Sequence, residues 1–232
     1  MKASQYEIQP GLLLDSRRAA WFPRERVLAV SDLHLGYAWA HRLNGQLMPI
    51  TPPNDTLARL AELQRDYAPR EVVVLGDIVH RAMGLPVLEE ELRELFGELS
   101  PRSELTFLAG NHDRELQRVL DQSRLPVKLQ ASREVGDSLL VHGDQAVTQN
   151  HGARRIIMGH EHPAVSIGDG VTTCAKYPCF LVSERLVILP AFSSWAAGTN
   201  VRSYPLMSPL AKATKFRQAI AIMEDKLLPV RI

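Results

Sequence analysis

The chain has 232 residues, and its 27 Lys and Arg against 26 Asp and Glu leave a formal net charge of +1. That balance gives no overall pull toward nucleic acid, although local charge still can. Two cysteines, Cys174 and Cys179, cannot build a disulfide framework or a zinc ribbon; they read as strand or core residues in a reducing compartment. No apolar run approaches the length of a membrane span, and no apolar core follows a basic start as in a secretory leader. The expectation is a cytoplasmic protein with no membrane partner, folded as one domain over residues 1–232 and large enough to bury a core without staples.

Taken in order, residues 6–14 followed by Ala19–Phe22 predict two short strands around Pro10-Gly11 and Asp15-Ser16, feeding the first core strand. Val27-Leu28-Ala29-Val30 predicts the first buried strand, running into Ser31-Asp32-Leu33-His34-Leu35-Gly36. Residues 43–53, rich in Pro and polar side chains, predict a loop. A helix should start at Asn54 or Asp55, with Leu57, Leu60, Ala61 and Tyr67 on one face. Next comes Glu71-Val72-Val73-Val74-Leu75-Gly76-Asp77. This β-branched run is too short for a helix and is closed by Gly, as in strands buried on both faces of a parallel sheet. Pro86 opens a helix striped by Leu88, Leu92, Leu95, Phe96 and Leu99, with Glu89-Glu90-Glu91 as its solvated first turn. Thr106-Phe107-Leu108-Ala109 runs into Gly110-Asn111-His112-Asp113, followed by a short helix over 114–120. Leu139-Leu140-Val141 meets His142-Gly143-Asp144, and Ile156-Ile157-Met158 meets Gly159-His160-Glu161-His162. Beyond these, strands are predicted over 171–173, 180–182, 186–189 and 219–223, with Ser183-Glu184-Arg185 as a hairpin turn.

Five apolar runs thus end in Asp, Asn or His, and the carboxyl ends of parallel strands are where open α/β sheets bind ligands. Asp32, His34, Asp77, Asn111, His142, His160 and His162 offer oxygen and nitrogen donors without thiolate, a set suited to Mn, Fe or Zn rather than Ca. Seven donors suit two ions sharing a carboxylate, the arrangement that clamps an in-line displacement at phosphorus.

Asp-x-His, Gly-Asp-x-x-His, Gly-Asn-His-Asp, a lone strand-end His and Gly-His-x-His, in that order, resemble the calcineurin-like metallophosphoesterase superfamily. The resemblance implies a four-layer αββα sandwich. One divalent metal would be held by Asp32, His34, Asp77 and His162, and a second by Asp77, Asn111, His142 and His160, so that Asp77 bridges. Mn2+ is the first choice, with Fe, Zn or Ni as alternatives, and a hydroxide shared by the ions would attack the phosphodiester. The resemblance makes His112 catalytic and not a ligand, able to protonate the leaving oxygen or to hydrogen-bond the charge that develops there, with Asp113 orienting it or making it more basic. Arg81 would grip phosphate, although Ala82 stands where the pattern has Gly. Leu12-Leu13-Leu14-Asp15, Ala20-Trp21-Phe22-Pro23 and Leu189-Pro190-Ala191-Phe192 are similar to the small prokaryotic branch associated with DNA ligase and repair genes, over about residues 11–198. That branch implies a nuclease acting on DNA, with repair proteins as partners. The alternatives are a phosphoesterase for a nucleotide or other small organic phosphate, and a non-catalytic binding scaffold.

Several residues have plainer readings. His80 is expected to support the site from behind, and Glu161 to point away from it. His41 and His151 are expected to be ordinary loop histidines. Asp144 either orients a histidine or makes a turn. Trp39 and Trp195 stack on bases or pack in the core. Lys212, Lys215 and Arg217 contact a phosphate backbone or are simply solvated.

Overall fold

Alternation along the strands decides where each side chain goes. In Glu71–Leu75 every residue is buried: Val72 and Val74 pack against helices, whereas Val73 and Leu75 face a second sheet. The preceding core strand repeats the pattern, with Leu28 and Val30 on the helix side and Val27 and Ala29 between the sheets. This computed structural model describes residues 3–47, 54–81, 86–147, 152–168 and 174–232.

The first sheet has seven strands in chain order: β1 (Gln5–Gln9), β2 (Leu12–Asp15), β3 (Ala19–Phe22), β4 (Val27–Val30), β5 (Glu71–Leu75), β6 (Glu104–Leu108) and β7 (Leu129–Gln130). β1 to β4 form an antiparallel meander, and β4 to β7 are parallel. Each parallel link needs a crossover. α1 (Tyr37–Leu43) and α2 (Asn54–Tyr67) lie in the first, α3 (Pro86–Leu99) in the second and α4 (Leu116–Gln122) in the third.

The second sheet contains β8 (Ser132–Val135), β9 (Ser138–Val141), β10 (Arg155–Met158), β11 (Pro163–Gly168), β12 (Cys174–Val182), β13 (Leu186–Ile188), β14 (Thr199–Asn200), β15 (Gln218–Met223) and β16 (Lys226–Arg231). β9, β10 and β13 run parallel to one another, β8 pairs antiparallel with β9 and β12 with β13, and β15 and β16 extend from β12. Leu12, Leu14, Ala29, Val73, Leu75, Leu140, Ile157, Phe180 and Ile220 fill the space between the sheets. On the far face of the second sheet, Met158, Cys179, Leu181 and Ile188 lie beneath a segment carrying Leu206, Leu210, Phe216 and the four-residue α5 (Pro209–Lys212). The layer order is the predicted αββα, with a thin outer layer. Pro190, Gly198, Pro205 and Pro209 interrupt that stretch and keep it from forming long helices.

β3, α2, α3 and the hairpin between β12 and β13 fall where the sequence puts them, except that Glu91, expected in a solvated first turn, is buried and accepts from Gly36 N at 2.7 Å. The fourth helix starts at Leu116 instead of residue 114. The pattern missed α1, β7, β8, β11, β14, β16 and α5. Residues 48–53 of the predicted loop, the predicted strand over 171–173, Ala82 and His151 lie outside the described residues.

One buried ion pair ties the two sheets together. The inaccessible Glu71 carboxylate in β5 accepts from Arg133 Nε at 3.0 Å and Nη2 at 2.9 Å in β8, and from Thr106 Oγ1 at 2.6 Å. Arg133→Ala leaves that carboxylate buried without its cation. It is expected to cost about 3 kcal/mol, at the lower end of the usual range because Arg133 is partly exposed. A thermal melt should show Tm falling by roughly 6–12 °C.

Candidate metal centre

The donors sit in the loops that leave the carboxyl ends of β4, β5, β6, β9 and β10, and backbone hydrogen bonds lash these loops together. Asp32 N donates to Gly76 O at 3.2 Å, His34 N to Asp77 O at 3.0 Å, and Gly159 N to His142 O at 3.0 Å. Five of the seven donors, Asp32, His34, Asp77, His160 and His162, adopt positive φ between 43° and 67°. Asp and His enter this region more readily than most residues, yet each such residue costs on the order of 1 kcal/mol and persists only where its surroundings enforce it.

The side chains converge into two groups. Ligand atoms of Asp32, His34, Asp77 and His162 lie within 4.8 Å of one another, and those of Asp77, His142 and His160 do the same. Asp77 belongs to both. In the first group His34 Nε2 stands 3.2 Å from His162 Nε2, which is 3.3 Å from Asp32 Oδ1. In the second, His142 Nε2 is 3.0 Å from Asn111 Oδ1, 3.2 Å from His160 Nδ1 and 3.5 Å from Asp77 Oδ1. The structure therefore brings all seven sequence-predicted donors to one place.

The residues fit divalent metal. Imidazole nitrogens facing one another have lone pairs in excess of the protons available, and two carboxylates share the same buried space. His142 Nδ1 donates to Leu75 O at 2.9 Å, which leaves Nε2 as the lone-pair atom turned toward Asn111 and Asp77. Burial pushes His34 down to about 3 and lowers His160, so these rings are neutral, the form that ligates. Burial opposes ionisation of Asp32, but His162, His142 and His34 outweigh it and hold the carboxyl below its ordinary range. Burial likewise works against a charged His162, yet the Asp32 carboxylate prevails and raises it. Burial raises Asp77. These two groups could hold two divalent cations.

Two motif glycines make this convergence possible. A Cβ at Gly110 would come within 2.3 Å of Asp77 Oδ1 and 2.4 Å of Asp77 N, and one at Gly159 within 2.6 Å of Asp32 Oδ2. Gly110→Ala is therefore expected to displace Asp77, the residue common to both groups. Elemental analysis of the purified variant should give less than one metal per chain while circular dichroism stays native.

His112 stands beside the cluster. Its backbone N donates to Asp77 Oδ1 at 3.0 Å, and its ring Nδ1 donates to His80 O at 2.6 Å. Nε2 is thus the atom free to exchange a proton, 3.9 Å from Asp77 Oδ2 in a side chain 36% exposed. The His80 carbonyl is what orients this ring. Asp113, read from the sequence as its orienting group, instead accepts from Gly110 N at 2.9 Å, Val79 N at 3.2 Å and Ile78 N at 3.3 Å. Its buried carboxyl, pushed up to about 7 by burial, braces the loops after β5 and β6. Arg81 follows His80 and is exposed.

The His80 ring, pushed down to about 4 by burial, lies close enough to His34 and His112 for ligand atoms of all three to fall within 4.8 Å. His41, expected to be an ordinary loop residue, lies in α1 and packs against both Tyr37 and His80, which also touch each other. Tyr37 in turn stacks on Trp195, with planes 8° apart and centroids at 5.8 Å. Sequence reasoning missed Tyr37. Its i, i+4 spacing from His41, directly after the Gly36 that starts α1, was the available signal. Asp144 does not orient His142, whose partner is Leu75 O. Glu161 turns away from the cluster, as expected, and accepts from Met207 N at 2.8 Å and from Ser208 N, fastening the outer layer to the loop that carries His160 and His162.

Comparison with known proteins agrees with this geometry. The model of the calcineurin-like phosphoesterase family matches residues 25–149. A crystal structure of the nuclease MPE of Pseudomonas putida superposes with a TM-score of 0.72 at 21% identity, covering 99% of this chain and 100% of that one. The phosphoesterase YfcE of E. coli aligns with a TM-score of 0.40 at 17% identity, over 89% and 98% of the two chains. No curated protein matches. The family match contains Asp32, His34, Asp77, Asn111, His112 and His142, and the fold adds His160 and His162 from beyond it. The chain therefore belongs to the calcineurin-like phosphoesterases, a family of metal-dependent hydrolases of phosphate esters.

Proposed function

We propose that this protein is a nuclease: a phosphodiesterase that uses two divalent cations, Mn2+ first among them, to cut DNA. The observation that carries the reading is that the donor cluster lies between two depressions. On one side His34, Tyr37, Trp39 and Trp195 line a narrow groove, and on the other His142, Gly143, Asp144 and Val147 line a cleft of about 340 Å³. A phosphodiester carries a substituent on each side of its phosphorus: the cleft beside His142 has room for one, and the groove beside His34, of about 40 Å³, leaves the other at its mouth against Tyr37 and Trp195. The full-length superposition on a protein described as a nuclease supports the same reading.

In this reading Asp32, His34, Asp77 and His162 hold one cation, and Asp77, Asn111, His142 and His160 the other. Bound there, the pair supplies Lewis acidity toward the phosphoryl oxygens and an activated water. The protein's own contribution begins with His112. Its Nδ1–H is fixed on the His80 carbonyl, so Nε2 carries the exchangeable proton and delivers it to the departing oxygen. The exposed Arg81 guanidinium takes a non-bridging phosphate oxygen as substrate enters. Half-buried Tyr37 and Trp195 offer ring faces to a base beside the scissile phosphate.

The test is a substrate panel with Mn2+: single-stranded and duplex oligonucleotides, bis-p-nitrophenyl phosphate, nucleotides and sugar phosphates. Cleavage of an oligonucleotide that disappears on chelation is the expected result. Turnover of nucleotides with oligonucleotides left intact would overturn the nuclease reading and leave a small-molecule phosphoesterase.

A further inference from the structure

Away from the metal centre, a cleft of about 400 Å³ opens between the end of β1, the start of β10 and the hairpin joining β12 to β13. Ile8, Gln9, Arg154, Arg155, Glu184 and Arg185 are among its lining residues. Arg155 is 6% exposed, and among the described residues no carboxylate lies within ion-pair distance of it; Asp137 acts on its charge only from farther off. Its Nη2 donates to the neutral Gln9 Oε1, and its Nη1 is sealed from solvent with no hydrogen-bond partner among the described residues. The other well-covered arginines each have a carboxylate or carbonyl acceptor, although Arg59 Nε is also buried without a partner among the described residues. Arg17 binds two carboxylates, Arg18 two carbonyls, and Arg59 a carbonyl beside the Asp55 carboxylate.

A buried guanidinium without a carboxylate is costly unless something else supplies the negative charge. Here two exposed arginines, Arg154 and Arg185, stand at the rim above it, with Glu184 the single acid in the lining. The hairpin is held to β10 because Ile156 N donates to Arg185 O at 2.9 Å, so the two rim cations keep a fixed relation to the floor. We propose that this cleft is a second, non-catalytic site for a phosphate-class oxyanion, held by Arg155 at its base and by Arg154 and Arg185 at its mouth. Arg155 opens β10 and His160 follows its other end, so a strand length of roughly 13 Å or more separates this anion site from the hydrolytic centre. The site is independent of what the metal centre cleaves.

The experiment is a titration of the Zn2+-loaded, isotope-labelled full chain, diamagnetic so that amides one strand away from the metals stay visible, with inorganic phosphate, and separately with a deoxynucleoside 5′-monophosphate, read at the backbone amides of Ile156, Ser183 and Arg185. Reporting at these amides separates this site from any phosphate bound at the metals. Saturable shifts are expected, with affinity roughly tenfold weaker in Arg185→Gln, a surface change that leaves the fold intact, and in Arg155→Gln. Tighter binding of the monophosphate than of inorganic phosphate would name a nucleotide as the source, and equal binding a free oxyanion. Absence of saturable shifts, or shifts unaltered in Arg185→Gln, would overturn the proposal.

Discussion

Asp77→Asn is expected to lower kcat/KM for phosphodiester cleavage by roughly three orders of magnitude while the protein stays folded. Asp77 is the one side chain shared by both donor groups, so losing its charge weakens both at once. Asn keeps an oxygen to accept from His112 N, now 3.0 Å from Asp77 Oδ1, so the loops after β5 and β6 need not separate. The carboxylate is nearly inaccessible and burial already disfavours its charge, so neutralising it should leave the metal-free protein as stable as the parent, or more so. Melting curves with and without metal check this. Metal should raise the Tm of the parent far more than that of the variant, because a ligand stabilises only in proportion to how tightly the folded state binds it.

His112→Ala should behave differently. Both equivalents of metal are expected to remain, since the two groups around Asp77 do not include His112. Oligonucleotide cleavage should fall roughly 10³-fold, because the departing sugar oxygen is a poor leaving group and needs a proton. Bis-p-nitrophenyl phosphate expels a phenolate that needs none, and its hydrolysis should fall by less than about tenfold. That contrast between substrates isolates proton donation from metal binding. An equal loss on both would show that His112 acts by shaping the site and not by giving up a proton from Nε2.

The site was legible in the sequence because its donors follow short apolar runs directly. A strand's end fixes its next residues in space, so Asp32, Asp77, Asn111, His142 and His160 are placed by the sheets almost as soon as they are written. The motif glycines are legible for the same reason, since the Gly110 and Gly159 positions have no room for a Cβ. Asp113 was misread because neighbours in sequence need not face one another. At that turn its carboxylate swings back to three backbone N–H groups while the His112 ring goes outward to the His80 carbonyl. α1 escaped notice because Tyr37-Ala38-Trp39-Ala40-His41 has no apolar stripe of helical period, its buried positions being two alanines. β16 was missed because it pairs on one side only and is largely exposed, so no burial pattern marks it. The anion cleft was invisible for a related reason: Gln9, Arg155 and Arg185 meet only through pairing between distant strands.

The account rests on two cations meeting at Asp77. Anomalous scattering from crystals of the Mn2+-loaded protein, collected at the manganese edge, tests this most directly. Two peaks are expected about 3.5–4 Å apart, one beside Asp32, His34 and His162 and the other beside Asn111, His142 and His160, with the Asp77 carboxylate touching both. A single peak, or peaks on other residues, would contradict it.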